Sequence, residues 1–154
     1  MTRQPDTTDK ALIALLGDDG RLPLVEAATV AGISRPTVAS RLRTLIADGV
    51  LRVAGLVDGA HLSGITVALV GLTVEKHRLD EKVEQIATIP CVVWAAVVTG
   101  RYDIMAQIAT EEGFNGLYDF LNVSLRAVGG ISSSEVFVVM KSRHHWMLLP
   151  HGIQ

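Results

Sequence analysis

Apolar residues recur at helical spacing through the first third of the chain; beyond Gly64 they run together in β-branched stretches. Residues 7–17, TTDKALIALLG, open with threonines and an acid, as helix N-termini do, and close on Gly17. Leu12, Leu15 and Leu16 share one face of that helix. DDGR (18–21) reads as a turn, and a second short helix is predicted from Pro23 to Gly32. Ser34 caps a third, in which Pro36 is tolerated because the first amides of a helix have no intrahelical partners. Val38, Leu42, Leu45 and Ile46 then form an apolar stripe, and Gly49 ends the helix after Asp48. VLRVAGLVD (50–58) has the β-branched character of a short hairpin or wing. Three short helices with a glycine turn before the third predict a helix-turn-helix.

The second part follows a different rhythm. ITVALVGLTV (65–74) reads as a strand, and residues 78–89 as a helix with Leu79, Val83 and Ile86 on one face, ended by Pro90. VVWAAVVTG (92–100) and YDIMAQIAT (102–110) read as two strands joined at Gly100 and Arg101. Phe114, Leu117, Tyr118, Leu121 and Leu125 stripe a longer helix closed by Gly129 and Gly130, and SEVFVVMK (134–141) is the last strand. The order βαββαβ is the ferredoxin-like arrangement, an antiparallel sheet with two helices on one face. The predicted class is α+β: a winged helix-turn-helix domain (1–52), a wing or linker (53–64) and a ferredoxin-like domain (65–154). Its strands are apolar on both faces and the helices cover one. The other is predicted to be buried between subunits, and a dimer with two heads suits DNA with two half-sites.

Charge sharpens this picture. The net charge of −2 excludes a globally basic nucleic-acid binder. Between Ser34 and Val53, however, Arg35, Arg41, Arg43 and Arg52 stand against Asp48 alone. At 100° per residue, the face opposite the apolar stripe of the third helix carries Pro36, Thr37, Ser40, Arg43 and Thr44, flanked by Arg41. Small side chains let a helix sit deep in a major groove, and arginines at its margins reach phosphates or the O6 and N7 of guanine. Amides at the Ser34 end can hold a phosphate. Double-stranded DNA is therefore the predicted partner; the alternative is a solvated face of a small helical bundle.

Other features exclude more than they assign. No apolar run is long enough to span a membrane, and the opening MTRQPDTTDK is too polar for a secretion signal. The single cysteine, Cys91, precludes an internal disulfide and suits a reducing cytoplasm; after Pro90 and before VVWAAVV it reads as a small buried hydrophobe. EKHRLDEKVE (75–84) mixes both signs and reads as a solvated helix face. His144, His145 and His151 follow no metal-ligand spacing and read as a polar tail, while Trp146 to Leu149 are predicted to pack on a neighbour. No G-x-S-x-G turn or phosphate-binding glycine loop occurs, so no enzyme and no metal or cofactor is predicted.

These pieces, in this order, resemble the Lrp/AsnC family of feast/famine regulators over roughly residues 8–145. DGR (19–21) leads into the second helix, GIS (32–34) opens the third, and R-x-x-x-L-x-x-x-G-V-L stands as Arg41, Leu45, Gly49, Val50 and Leu51. TGRYD (99–103) is similar to the family's T-G-x-Y-D, and Lys141 follows the last apolar strand. The resemblance implies a transcription regulator that dimerises through its sheets and often assembles further, commonly into octamers. It also implies an amino-acid effector bound near Thr99, Gly100, Arg101, Tyr102 and Asp103, with Ser132, Ser133 and Ser134 contributed by a neighbouring subunit. Backbone amides of the turn would receive the carboxylate and Asp103 the ammonium group. Equally, Gly and Asp in a tight turn need no ligand, and Asp103 can satisfy local amides instead. Two departures stand out. Ala27-Ala28 replaces the usual leucine and alanine, which predicts a lightly packed head, and HLSG (61–64) replaces a Leu-Gly pair. Sirohaem decarboxylases resemble the same two-domain family and offer the enzyme alternative; His61 and Arg101 are here, but no clustered Arg-His run. A sensor without DNA binding is a third reading, opposed by the intact Ser34–Arg43 face.

Overall fold

The computed structural model describes residues 4–75 and 78–150. It comprises two compact units, the first ending at Gly55 and the second beginning at Leu56.

The first unit holds α1 (Thr7–Asp18), α2 (Leu24–Ala31) and α3 (Arg35–Ala47). The cap of α1 is Asp6 rather than a threonine: its carboxylate accepts from the Asp9 amide while Asp9 accepts from the Asp6 amide, a reciprocal box. Pro23 is the N-cap of α2, one residue before its predicted place in the first turn. At the end of α2 Gly32 turns left-handed (φ 65°), and Ile33 N–H reaches back to the Ala28 carbonyl. The same device closes α3: Gly49 has φ 69°, and Val50 N–H reaches the Leu45 carbonyl. Leu12, Ala27, Ala28, Val38, Leu42 and Leu45 form the core. Ala27 and Ala28 are both buried against this cluster. Ile46 departs from its predicted stripe and is half exposed; it sits well round the helix from Val38 and Leu45, and Leu51 packs against the core from beyond the turn.

In the second unit β1 (Val57–Asp58) and a 3₁₀ turn (Gly59–His61) precede β2 (Thr66–Val74), α4 (Leu79–Ala87), β3 (Val92–Val97) and β4 (Ile104–Thr110). A helical rod follows, α5 (Gly113–Asp119), a π-helical turn (Phe120–Ser124) and α6 (Leu125–Val128), then β5 (Ile131–Val138) and β6 (Trp146–Met147). The four long strands are antiparallel in the order β3-β4-β2-β5, the ferredoxin-like sheet. Residues 51–56 form no strand ladder, and the β-branched stretch contributes only Val57–Asp58, which pairs with Trp146–Met147. His144 and His145 therefore precede β6 rather than alternate along a strand, and His151 lies outside the described residues.

Ala68, Val70 and Leu72 of β2 and Ile104, Ala106 and Ile108 of β4 meet Ile86 of α4 and Leu117, Phe120 and Leu125 of the rod. Phe114 and Tyr118, predicted to be in that stripe, are instead exposed, and Phe120 is buried. The π turn accounts for the position of Leu125: its wider winding returns Leu125 to the side already taken by Leu117 and Phe120. β5 begins three residues earlier than predicted, so the three serines lie within it. On the opposite face, the register aligns Trp94, Gln107, Leu69 and Phe137 in one row across all four strands. Trp94 and Phe137 in that row are exposed.

The rod lies close on the sheet at Gly116, where an added Cβ would stand 2.9 Å from Thr110 Cβ. Gly116→Ala should push the rod off β4 and destabilise the protein by about 1–3 kcal/mol, read as a lower urea midpoint. An unchanged midpoint would mean that the contact relaxes freely.

Candidate nucleic-acid interface and effector turn

The DNA-facing candidates divide by their position around α3. Ser34 is its N-cap: its hydroxyl accepts from the Thr37 amide (3.3 Å) and pairs with the Thr37 hydroxyl (2.7 Å). Ser34, Arg35, Pro36, Thr37, Ser40, Arg43 and Thr44 are all exposed. Thr44 donates its hydroxyl proton to the Ser40 carbonyl (3.1 Å), leaving its methyl group and lone pairs for a partner. Arg35 and Arg43 form no ion pair with any described residue.

Arg41 is employed inside the unit. Its Nη1 donates to Asp6 (2.7 Å) and to Asp9 (2.8 Å), whose side chain is fully buried. The hydrogen bond to Asp6, then that to Asp9, raises the guanidinium above its ordinary pKa. Arg41 thus ties α3 to the start of α1, a role its place among flanking arginines did not reveal. The two acids are 32 and 35 residues away, so no local signal announces them.

The turn residues Thr99 to Asp103 join β3 to β4. Asp103 Oδ2 accepts from the Val74 amide (3.0 Å), and its own amide donates to the Leu72 carbonyl (2.9 Å). The structural role foreseen for this acid is therefore present, and it holds the end of β2 where the β2–β5 register shifts between Thr73 and Val74. Gly100 has φ 125°, a backbone that favours glycine. The Tyr102 ring lies over Gly71, where an added Cβ would meet ring atoms at 2.6 Å. Its hydroxyl donates to Glu135, which raises the phenol pKa, with burial adding to the effect. Arg101 pairs with the same carboxylate (3.2 Å) and lies 5.5 Å from the Tyr102 ring centre, and Phe137 meets that ring edge-on. Glu135 was missed; a lone acid in an apolar strand was the available signal.

The serines lie on the other side of β2. Ser134 is the Cα partner of Leu72 and Ser133 of Thr73, while Ser132 donates to the Thr73 carbonyl (3.0 Å). Ser133 and Ser134 line a cavity of about 290 Å³ with Arg126 and Gly129. The turn and the serines thus flank one end of the same strand, from β4 and β5 respectively. Among the described residues no group of three metal-ligating side chains occurs, and no helix is long and apolar enough to cross a membrane.

Comparison with known proteins agrees with both halves of this geometry. The profile "Winged helix-turn-helix DNA-binding" matches residues 5–52, and "Lrp/AsnC ligand binding domain" matches residues 67–146. The chain is 27% identical over 146 residues to HTH-type transcriptional regulator FL11 of Pyrococcus horikoshii, covering 94% of this chain and 95% of the relative. It is 30% identical over 143 residues to the leucine-responsive regulatory protein of Rhizobium meliloti, covering 88% and 89%. A transcriptional regulator from Neisseria meningitidis, solved as a complex with L-Met, superposes with a TM-score of 0.69 at 22% identity, covering 92% of this chain and 94% of that one.

The two arginines of α3 separate in a stability measurement. Arg41→Met should lower the urea midpoint of the first unit, because Asp9 loses a charged donor while buried. Arg43→Met should leave it unchanged. Equal midpoints would show that the Arg41 pairing contributes nothing to folding.

Proposed function

The chain belongs to the Lrp/AsnC family of transcription regulators, and from that premise we propose that it reads double-stranded DNA through α3 and senses an amino acid at the β3–β4 turn. The relatives are named as transcription regulators rather than enzymes, and the tetrapyrrole alternative is not favoured. The observation that carries the DNA reading is the outer face of α3. Small side chains at Pro36, Ser40 and Thr44 leave room for a groove wall, and Arg35 and Arg43 are unspent by ion pairs among the described residues. Ser34 and Thr37 order the amides that would meet a phosphate. Arg41 acts in this reading by positioning α3.

Residues 1–52 are the reading head, 53–64 a wing and linker, and 65–154 the sensing and oligomerising part. The subunits pair through the Trp94–Phe137 row as homodimers, which assemble further to octamers. The effector is an amino acid, a class supported by L-Met on the Neisseria regulator. Thr99, Gly100, Arg101, Tyr102 and Asp103 take its polar groups, with Ser132, Ser133 and Ser134 beside them. The protein works in the cytoplasm, where its single cysteine stays reduced.

The reading is tested by binding to the DNA upstream of its own gene at two salt concentrations, with and without each amino acid. Tight, salt-sensitive binding altered by one amino acid is expected, and absence of specific binding under every condition would overturn it. Arg43→Ala should weaken operator binding about tenfold and leave the oligomer intact, as checked by anisotropy and sedimentation. Asp103→Ala should abolish the amino-acid response while operator binding persists; an undiminished response would leave the turn purely structural. Trp94→Glu should shift sedimentation toward the monomer, and an unshifted profile would place the interface elsewhere.

A further inference from the structure

We propose a second small-molecule site in the sensor unit, a pocket for a small carboxylate with an aliphatic tail, at the Val67 end of β2. A cavity of about 340 Å³ opens there, within the range of small-ligand pockets. Its wall includes Leu62, Val67 and Val139, and its polar side Lys141, Ser142 and His145. No carboxylate of a described residue lines it, although the chain holds 16 acids against 14 lysines and arginines. Lys141 is exposed and has no acidic partner among the described residues. Lys141 favours an anion in a lining that holds no acid among the described residues, and Leu62, Val67 and Val139 can meet a short tail.

This pocket is separate from the effector turn. Asp103 bonds to Val74 and Leu72, whereas the pocket begins at Val67. Seven residues of extended strand put roughly 23 Å between Val67 and Val74, at about 3.3 Å per residue. The two sites also demand different chemistry: a ligand here meets a lysine and no acid, so an ammonium group has no acidic partner.

His145 connects the pocket to the open sheet face. Its Nε2 lies 3.2 Å from Gln107 Oε1, which also receives the Trp94 indole N–H at 3.0 Å. An indole nitrogen only donates, so the atom between them is the amide oxygen and His145 Nε2 is a donor. Gln107 Nε2 is directed to Met147 Sδ (3.2 Å), consistent with that orientation. A ligand that draws on His145 therefore perturbs a hydrogen bond shared with Trp94.

The test is calorimetric titration of the full chain with 4-methylpentanoate, which carries the tail and the carboxylate but no ammonium group, beside inorganic phosphate. Saturable binding of 4-methylpentanoate is expected, with phosphate at least about tenfold weaker. Lys141→Gln should weaken it about tenfold, and Arg101→Gln should leave it unchanged. In a Trp146→Phe background, the carboxylate should alter Trp94 fluorescence. No saturable binding, binding of phosphate as tight as the carboxylate, or loss on Arg101→Gln as large as on Lys141→Gln would each overturn the proposal. Operator binding measured on the same sample keeps this outcome distinct from that of the DNA reading.

Discussion

The second unit depends on one constraint: β2 is hydrogen-bonded along both edges. It pairs with β4 from Thr66 to Leu72 and with β5 from Ala68 to Val74, so its backbone donors and acceptors are committed. Alternation then sends Ala68, Val70 and Leu72 to the helices and Leu69 and Gly71 to the other face. Burying each Val or Leu contributes about 1.5–3 kcal/mol, against about 1 kcal/mol for a typical net hydrogen bond. A one-residue slip would turn that set away from the helices, so the register is held mainly by burial. Once the register is set, Asp103 and the serines are brought to the same strand end without any contact between them being required.

A similar geometric division governs α3. Arg41 and Arg43 are two residues apart, about 200° around the helix. One consequently meets the acids at the start of α1 and the other faces outward. Local charge density marked α3 as a basic segment but could not divide the work among its arginines. The division is a matter of rotation and of partners far away in the chain. A basic segment is evidence for an anionic partner only after its internal obligations have been subtracted.

The same distinction explains what could be read from the residues. Elements with local causes were legible: the Ser34 cap, the left-handed glycines at 32 and 49, the strand-helix alternation beyond Gly64 and the turn at Gly100. Features with distant causes were not. The β1–β6 ladder joins two-residue strands from opposite ends of the unit. The π turn has no composition of its own and shows only in the spacing of the residues it buries, Phe120 and then Leu125. At the turn, the local role of Asp103 was legible, but the Glu135 partner across β2 was not.

Gln107 shows how a sheet can carry information between its ends and its face. Its carboxamide is buried, accepts from Trp94 and His145, and is directed at Met147 on β6. A buried amide deprived of a partner costs about 1–3 kcal/mol, so these contacts resist being lost singly. Movement of His145 must be met by a compensating donor or by a turn of the amide, and a turned amide presents its nitrogen to the indole N–H, donor against donor. Trp94 would then have to move, and Trp94 stands in the exposed row that crosses the sheet. A smooth apolar row would have tolerated the same displacement with small losses of contact. The buried polar residue converts it into a choice between two hydrogen-bonded arrangements, which ties the position of His145 to that of the exposed Trp94.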